Sequence, residues 1–417
     1  MPAHILTHIK ELINIRTDVQ PIYGKDMAIL PTIKDAWLLI EGNEIAGYGE
    51  METLKKELPV IPAEQLNCSG RLVMPCWCDS HTHLVFAGSR ENEYIDKIRG
   101  LSYSEINARG GGILNTVKKV TESSEDELFQ LAWKRLEEIS LLGTGAIEIK
   151  SGYGLSMDAE LKMLRVIKKL REKSNLQIRS TFLGAHTFPL HYRDHHDIYI
   201  KQITDEMLPV IAREKLADYI DVFCEHGFFN PKESEVILRA GLKYGLPAKM
   251  HVNQMHSIGG IETGLKVHAL SMDHLETMEQ KDIELIKSND WKGFCTLLPT
   301  AAWFLRLPFP TARALMDANL ALALASDFNP GSSPSGNMNF VFSLACTQMK
   351  MLPEEAFNAA TTNGAFAMGL GNQCGSICKG LQANLTITKP VSSLAYLPYA
   401  FGSNFIDKVI LRGSFIS

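Results

Sequence analysis

Apolar positions along this chain recur at two spacings, and which spacing applies depends on where in the chain one looks. Before residue 71 they fall in short runs. Asp35-Ala36-Trp37-Leu38-Leu39-Ile40 and Glu44-Ile45-Ala46-Gly47-Tyr48-Gly49 read as strands separated by the turn signal Gly42-Asn43. The far end repeats the pattern in Ala383-Asn384-Leu385-Thr386-Ile387-Thr388 and Lys408-Val409-Ile410-Leu411-Arg412-Gly413. Neither end has enough apolar length for a core of its own, so the two are expected to pair into one small β domain.

Between the ends, strand and helix patterns alternate. A strand ends at His81-Thr82-His83, and Thr144 to Ile149 makes the next. Gln177 to His186, Tyr219 to Glu225, Pro247 to Val252, His268 to His274, Gly293 to Leu298 and Ala321 to Asp327 complete a series of eight candidate strands. The gaps carry helical signals. Ser124 and Glu127 form a capping box, Leu128, Leu131, Ala132, Leu136 and Ile139 follow at helical spacing, and Gly143 stops the helix. After Ser156, Asp158 and Glu160 stand near a helix start and Lys168, Lys169 and Arg171 near its end, as the helix dipole favours. Further helices are predicted over Thr204 to Ala217, Pro231 to Tyr244, Met278 to Lys287 and Pro353 to Met368.

This alternation predicts an α/β fold, a (β/α)8 barrel over residues 74–374. A composite β-sandwich domain is expected from residues 1–73 and 375–417. An open doubly wound sheet is the rival, but no Gly-x-Gly-x-x-Gly turn joins a first strand to its helix.

Composition narrows the function classes. The 417 residues are 45% hydrophobic and 21% charged, ordinary values for a globular protein, and the net charge of -5 leaves no basic footprint for nucleic acid. No run of 18 apolar residues predicts a membrane span, and Met1 to Asn14 lacks the features of a secretory leader. A cytoplasmic protein with a small-molecule partner is expected. The eight cysteines are too few for a disulfide framework in a chain this long, and reduced, mostly buried thiols are expected.

Candidate chemistry begins at Asp79-Ser80-His81-Thr82-His83. Residues two apart on a strand share a face, so His81 and His83 face the barrel axis together, as a metal site requires. His251, His274 and Asp327 stand at the ends of the fifth, sixth and eighth strands, where barrel active sites lie. Each taken alone is equally a hydrogen-bonded core histidine or a turn-capping aspartate. Their convergence on one mouth favours a metal centre.

His81, His83, His251, His274 and Asp327 in these positions resemble the amidohydrolase superfamily. Within it the chain resembles the imidazolonepropionases over nearly its whole length. The resembling runs are His81 to Arg90, Glu148-Ile149-Lys150-Ser151-Gly152-Tyr153-Gly154, Phe182-Leu183-Gly184-Ala185-His186 and Ser326-Asp327-Phe328-Asn329-Pro330-Gly331-Ser332. The resemblance implies hydrolysis of the cyclic amide of 4-imidazolone-5-propanoate to N-formimidoyl-L-glutamate. It further implies one divalent ion per subunit, zinc or iron, held by His81, His83, His251 and Asp327. Arg90, Tyr153 and His186 match the residues that bind substrate, and Gln254, Asn329, Gly331 and Ser332 match further contacts to substrate or product. Asp327, His274 and Gln254 match the groups that act in catalysis. A homodimer is usual in the family.

Physical sense bears on these roles separately. Arg90 can grip a propanoate carboxylate with two parallel hydrogen bonds, although Ser89-Arg90-Glu91-Asn92-Glu93 alone reads as a solvated surface run. Tyr153, in a Gly-flanked loop after a strand, is equally a helix-entry aromatic or a binding residue, and His186, at a strand end, is open in the same way. Asn329-Pro330-Gly331-Ser332 is a turn on any reading.

Two absences separate relatives. Two-metal members of the superfamily carry a lysine at the end of strand four, where this chain has Phe223-Cys224-Glu225, which favours one metal. Deaminases place a glutamate where Gln254 stands; a glutamine orients a ring but does not shuttle protons, which favours hydrolysis of a cyclic amide. Gly110-Gly111-Gly112 is expected to be a loop over the mouth rather than a phosphate cradle, and Lys150 is expected to pair with Glu148. Against the family's usual pattern, Pro75-Cys76-Trp77-Cys78-Asp79 alters the packing under the first ligand pair, and Asn384 stands where an aspartate is common.

Overall fold

Strands β1 (Ala3–Ile13), β2 (Thr32–Glu41), β3 (Glu44–Glu50), β4 (Glu64–Asn67) and β5 (Leu72–Pro75) open the chain in a computed structural model that describes residues 3–101, 105 and 111–416. Of the glycine run, Gly110 lies outside the described residues. The hairpin of β2 and β3 turns at Gly42-Asn43, where Gly42 has φ +63. The long first strand had no clear mark in the pattern, because a bulge interrupts it. Its register shifts between Leu6 and Ile9, and His8 takes φ +50, so both apolar residues join one buried cluster.

Eight strands follow in the middle of the chain: β6 (Trp77–Thr82), β7 (Thr144–Lys150), β8 (Gln177–Ala185), β9 (Tyr219–Cys224), β10 (Ala248–Val252), β11 (Ser271–His274), β12 (Phe294–Leu297) and β13 (Ala321–Leu324). They pair in sequence order and in parallel, with helices between them, which is the (β/α)8 architecture the alternation predicted. The seam between first and last strand closes where β6 ends. Asp327 N donates to His81 O at 3.0 Å and His83 N donates to Phe328 O at 2.9 Å. Closure therefore sets His81 and His83 directly beside Asp327.

The chain ends as β14 (Leu385–Thr388), β15 (Ile406–Leu411) and β16 (Ser414–Phe415). These join the opening strands in a second eight-stranded sheet, ordered β16-β15-β14-β5-β1-β2-β3 with β4 on β1. Leu6, Leu38 and Ile40 from the N-terminal strands and Leu385, Ile387 and Ile410 from the C-terminal ones form one buried cluster. Neither end has this core without the other.

The helices follow their caps. Ser124 Oγ accepts from Glu127 N at 3.2 Å and Glu127 accepts from Ser124 N at 2.8 Å, opening the helix Glu125–Leu141. Its buried face is Leu128, Phe129, Ala132, Leu136 and Ile139, the four larger side chains each worth about 1.5–3 kcal/mol when removed from water. Two expected helices differ. Pro353 to Met368 breaks into Pro353–Ala360 and Thr362–Ala367 at Thr361, whose φ of -123° and ψ of -86° leave the helical region. Asn14 Nδ2, arriving from the N-terminal segment, donates to the hydroxyls of Thr361 and Thr362 at 3.3 and 2.9 Å and holds the break. Thr204 to Ala217 is π-helical over Gln202–Met207, continues as Leu208–Glu214, and stops at left-handed Lys215. No helix of the described residues is long and apolar enough to cross a membrane. The eight cysteines are unpaired, and all but Cys346 and Cys378 are buried.

Candidate metal centre and substrate pocket

At the C-terminal mouth of the barrel the strand ends deliver His81, His83, His251, His274 and Asp327 to one buried spot. The eighth strand stops at Leu324, three residues short of Asp327, so that carboxylate is presented by a loop and not by the strand's alternation. Asp327, His274 and Leu275 all have positive φ, at +53°, +86° and +68°. Such strain in non-glycine residues costs about 1–3 kcal/mol each and persists where the surroundings hold it.

The ring nitrogens divide by role. His81 Nδ1 lies 2.6 Å from Asp273 Oδ2, and His251 Nδ1 lies 3.1 Å from Asp221 Oδ1. A carboxylate behind Nδ1 keeps the proton there and leaves Nε2 bare. The ring nitrogens turn toward one another: His251 Nε2 is 3.4 Å from His83 Nε2. Asp327 Oδ1 lies 3.6 Å from Nε2 of both His81 and His83. His81 Nε2 is buried and has no hydrogen-bond partner among the described residues. Burial, followed by Lys150 for His81 and His186 for His83, pushes both imidazoles well below the usual histidine range, so they are neutral with free lone pairs. The set of bare nitrogens facing a carboxylate oxygen suits a divalent cation.

His274 behaves differently. Burial lowers its pKa, but Glu276, whose Oε1 lies 3.3 Å from Nδ1, together with Asp327 and Asp273 raises it on balance. It is shifted toward carrying a proton, opposite to His81 and His83. Burial also raises Asp327, while Ser332 Oγ donates to its Oδ2 at 2.9 Å. A carboxylate raised in this way is a better proton acceptor.

A cavity of about 400 Å³ opens from this cluster. Arg90, Tyr153, His186, Gln254, Asn329, Gly331 and Ser332 all line it, as do His83, His251, His274 and Asp327. Arg90 is not solvated. Its Nε and Nη2 reach Glu93 Oε2 at 2.8 and 2.6 Å, and Glu93 in turn accepts from Gly112 N and Asn115 Nδ2. The guanidinium lies so close to Gly331 that a Cβ there would come within 2.2 Å of Nη1. His186 stacks on His83 at 5.2 Å and has Nδ1 3.0 Å from Gly152 O. Gly152 has φ +110, and a Cβ would meet that nitrogen at 2.9 Å. Burial pushes His186 down to about 3, so Nε2 is a neutral acceptor. Asn329 Oδ1 accepts from Gly331 N and Ser332 N, both at 2.8 Å, so its side chain builds the turn it belongs to.

Sequence reasoning missed Asp221, Asp273 and Lys249, and saw Lys150 only as a partner of Glu148. The ion pair with Glu148 is present at 2.6 Å, but Lys150 also meets Asp221 at 2.8 Å and Asp273 at 3.5 Å. The signal was a polar residue at every second position of an otherwise apolar strand, as in Lys249 and His251. Glu225 accepts from Met255 N and His256 N at 2.8 and 3.1 Å, which anchors the segment carrying Gln254.

Comparison with known proteins is consistent along the chain. The model of the amidohydrolase family matches residues 200–416. The imidazolonepropionase of Flavobacterium johnsoniae is 55% identical over 414 residues, covering 99% of each chain. Guanine deaminase of E. coli superposes with a TM-score of 0.74 at 15% identity, covering all of this chain and 99% of the other. A point mutant of atrazine chlorohydrolase from Arthrobacter aurescens, complexed with zinc and atraton, gives 0.73 at 14% identity, covering 99% and 95%. At such identities the solved structures speak for the fold alone.

Proposed function

The chain belongs to the amidohydrolase family and, within it, to the imidazolonepropionases, and from that premise we propose how its residues share the reaction. The activity is hydrolysis of the cyclic amide bond of 4-imidazolone-5-propanoate to N-formimidoyl-L-glutamate in histidine degradation, and it uses a divalent metal. The finer assignment is that His81, His83, His251 and Asp327 hold one ion, zinc or iron, per subunit. Such an ion supplies Lewis acidity, which eases loss of a proton from water near neutral pH and polarises a carbonyl.

This chain's residues do the rest. Arg90 binds the propanoate carboxylate, with Glu93 fixing the guanidinium. Tyr153, Gln254 and the bare Nε2 of His186 orient the imidazolone ring, while Gly331 and Ser332 close the loop beside it. Asp327 takes a proton from the attacking water as its oxygen bonds to the ring carbonyl carbon. His274 donates a hydrogen bond to the oxyanion that develops. The ring C–N bond breaks, Asp327 returns the proton to the departing nitrogen, and the carbonyl carbon leaves as a carboxyl group.

The observation that carries this reading is the cluster of bare imidazole nitrogens facing Asp327 at the floor of a pocket that also contains Arg90. The same proposal divides the chain into a barrel (74–374) and a composite β domain (1–73 and 375–417). It also makes the protein a cytoplasmic homodimer, for which sedimentation gives the test of oligomeric state. The deciding experiment uses protein stripped by a chelator and reloaded with zinc or ferrous iron, mixed with freshly generated 4-imidazolone-5-propanoate. Loss of the substrate's ultraviolet absorbance is expected only after reloading. A reloaded protein of verified metal content that leaves the substrate at its uncatalysed rate overturns the assignment.

A further inference from the structure

Beneath the metal ligands, on the axis of the barrel, lies a cluster of fully buried charges that the reaction scheme leaves unused. Glu148 and Lys150 come from β7, Asp221 from β9, Lys249 from β10 and Asp273 from β11, each with no exposed surface. An ammonium group has three donors, and that of Lys150 faces three carboxylates, at 2.6 Å (Glu148), 2.8 Å (Asp221) and 3.5 Å (Asp273). Two of these carboxylates hold the ring nitrogens of His251 and His81. A continuous path therefore runs from His81 through Asp273, Lys150 and Asp221 to His251.

Lys249 completes the floor. It pairs with the second oxygen of Glu148 and reaches the carbonyls of Ser80 and Ala367, at 3.4 and 3.2 Å. Thr181 Oγ1 donates to Glu148 at 2.7 Å. Glu148 thus rests on Lys249 and Thr181 and supports Lys150 from below. The floor's carboxylates, Glu148, Asp221 and Asp273, outnumber its ammonium groups, Lys150 and Lys249, and buried charge left unbalanced is costly, so the floor suits a cation above it.

We propose that Lys150 is a positioning residue for the metal centre: one ammonium, tied to Asp221 and Asp273 together, aims His251 and His81 at the ion. The inference rests on the ligand assignment made above. It differs from a plain structural ion pair in one respect, because it couples two histidines that the chain supplies from separate strands. Asp221 and Asp273 touch different ligands, and the Lys150 ammonium meets both carboxylates.

Lys150→Met tests the inference on the full chain, with zinc affinity read by competition against a chromophoric chelator. Loss of a group that orients metal ligands weakens affinity by about 10–100-fold, and the visible spectrum of the cobalt-substituted protein shifts with it. A second measurement does not depend on that variant folding. Asp221→Asn and Asp273→Asn are combined, and the joint loss of zinc affinity is expected to be smaller than the product of the single losses. A folded Lys150→Met protein with wild-type zinc affinity and cobalt spectrum overturns the proposal, and so do losses at Asp221 and Asp273 that multiply independently. Wild-type protein that binds neither zinc nor ferrous iron overturns instead the ligand assignment beneath it.

Discussion

In the sheet made from the chain ends, the shared interior is aliphatic: Leu6, Leu38, Ile40, Leu385, Ile387 and Ile410 meet across it, and an ion pair such as Arg71 with Asp407 stays part-exposed. In the barrel, the interior beneath the mouth buries Glu148, Lys150, Asp221, Lys249 and Asp273 with no exposed surface. Both sheets have eight strands, and both need a filled interior. Apolar filling stabilises by removing surface from water, whereas buried ion pairs roughly break even against their desolvation and lose several kcal/mol when one partner is removed. The barrel axis therefore gives up stability that aliphatic residues would have supplied, and gains a rigid charged support for His81 and His251. Damage to the two regions should accordingly be read out in different quantities.

The largest effect is expected at the mouth. Asp327→Ala should lower kcat by about 10³-fold or more, since both proton transfers pass through that carboxylate, with the far-UV spectrum unchanged. Substantial turnover in this variant breaks the scheme. In the other sheet, Leu385→Ala should cost about 3 kcal/mol of unfolding free energy by cavity formation, while the kcat of the folded fraction stays at the wild-type value. A kcat that falls in step with stability would mean that the two regions are not separable. Arg90→Met should reduce kcat/KM by about 30-fold, roughly 2 kcal/mol for a lost charge-assisted contact. Most of that loss should appear in KM, measured by initial rates.

The smallest effect per unit step concerns pH. His186 has its pKa pushed to about 3 by burial, against 6.5 when exposed. Between these values the unfolded chain holds a proton that the folded one does not. Its contribution to stability is complete above 6.5 and is lost as pH falls toward 3, at about 1.4 kcal/mol per pH unit. Denaturant titrations of the metal-free protein should show His186→Asn with a flatter acid limb by that slope. Identical limbs would mean that His186 is protonated in the fold.

Much of this was legible along the chain because it is local. Strand and helix periods marked the barrel, and two residues on one strand face predicted that His81 and His83 act together. The misses were places where a distant segment intervenes. Thr361 breaks an expected helix because Asn14 reaches it, and the bulge at His8 hid the longest strand of the terminal sheet. Arg90 looked solvated, yet Glu93, three residues on, holds it, and that carboxylate also accepts from Gly112 and Asn115, 19 and 22 positions further along the chain.

The sequence by itself determined the donor set, its spacing and the face that His81 and His83 share, since side-chain direction along a strand follows from backbone period. Only the tertiary structure decided the pairings. Closure brings Asp327 beside His81 and His83, and strand order sets Lys150 between Asp221, 71 positions away in the chain, and Asp273. Charge compensation depends on distance in the folded state, and nothing in the periodicity of a strand says which neighbour will neutralise it.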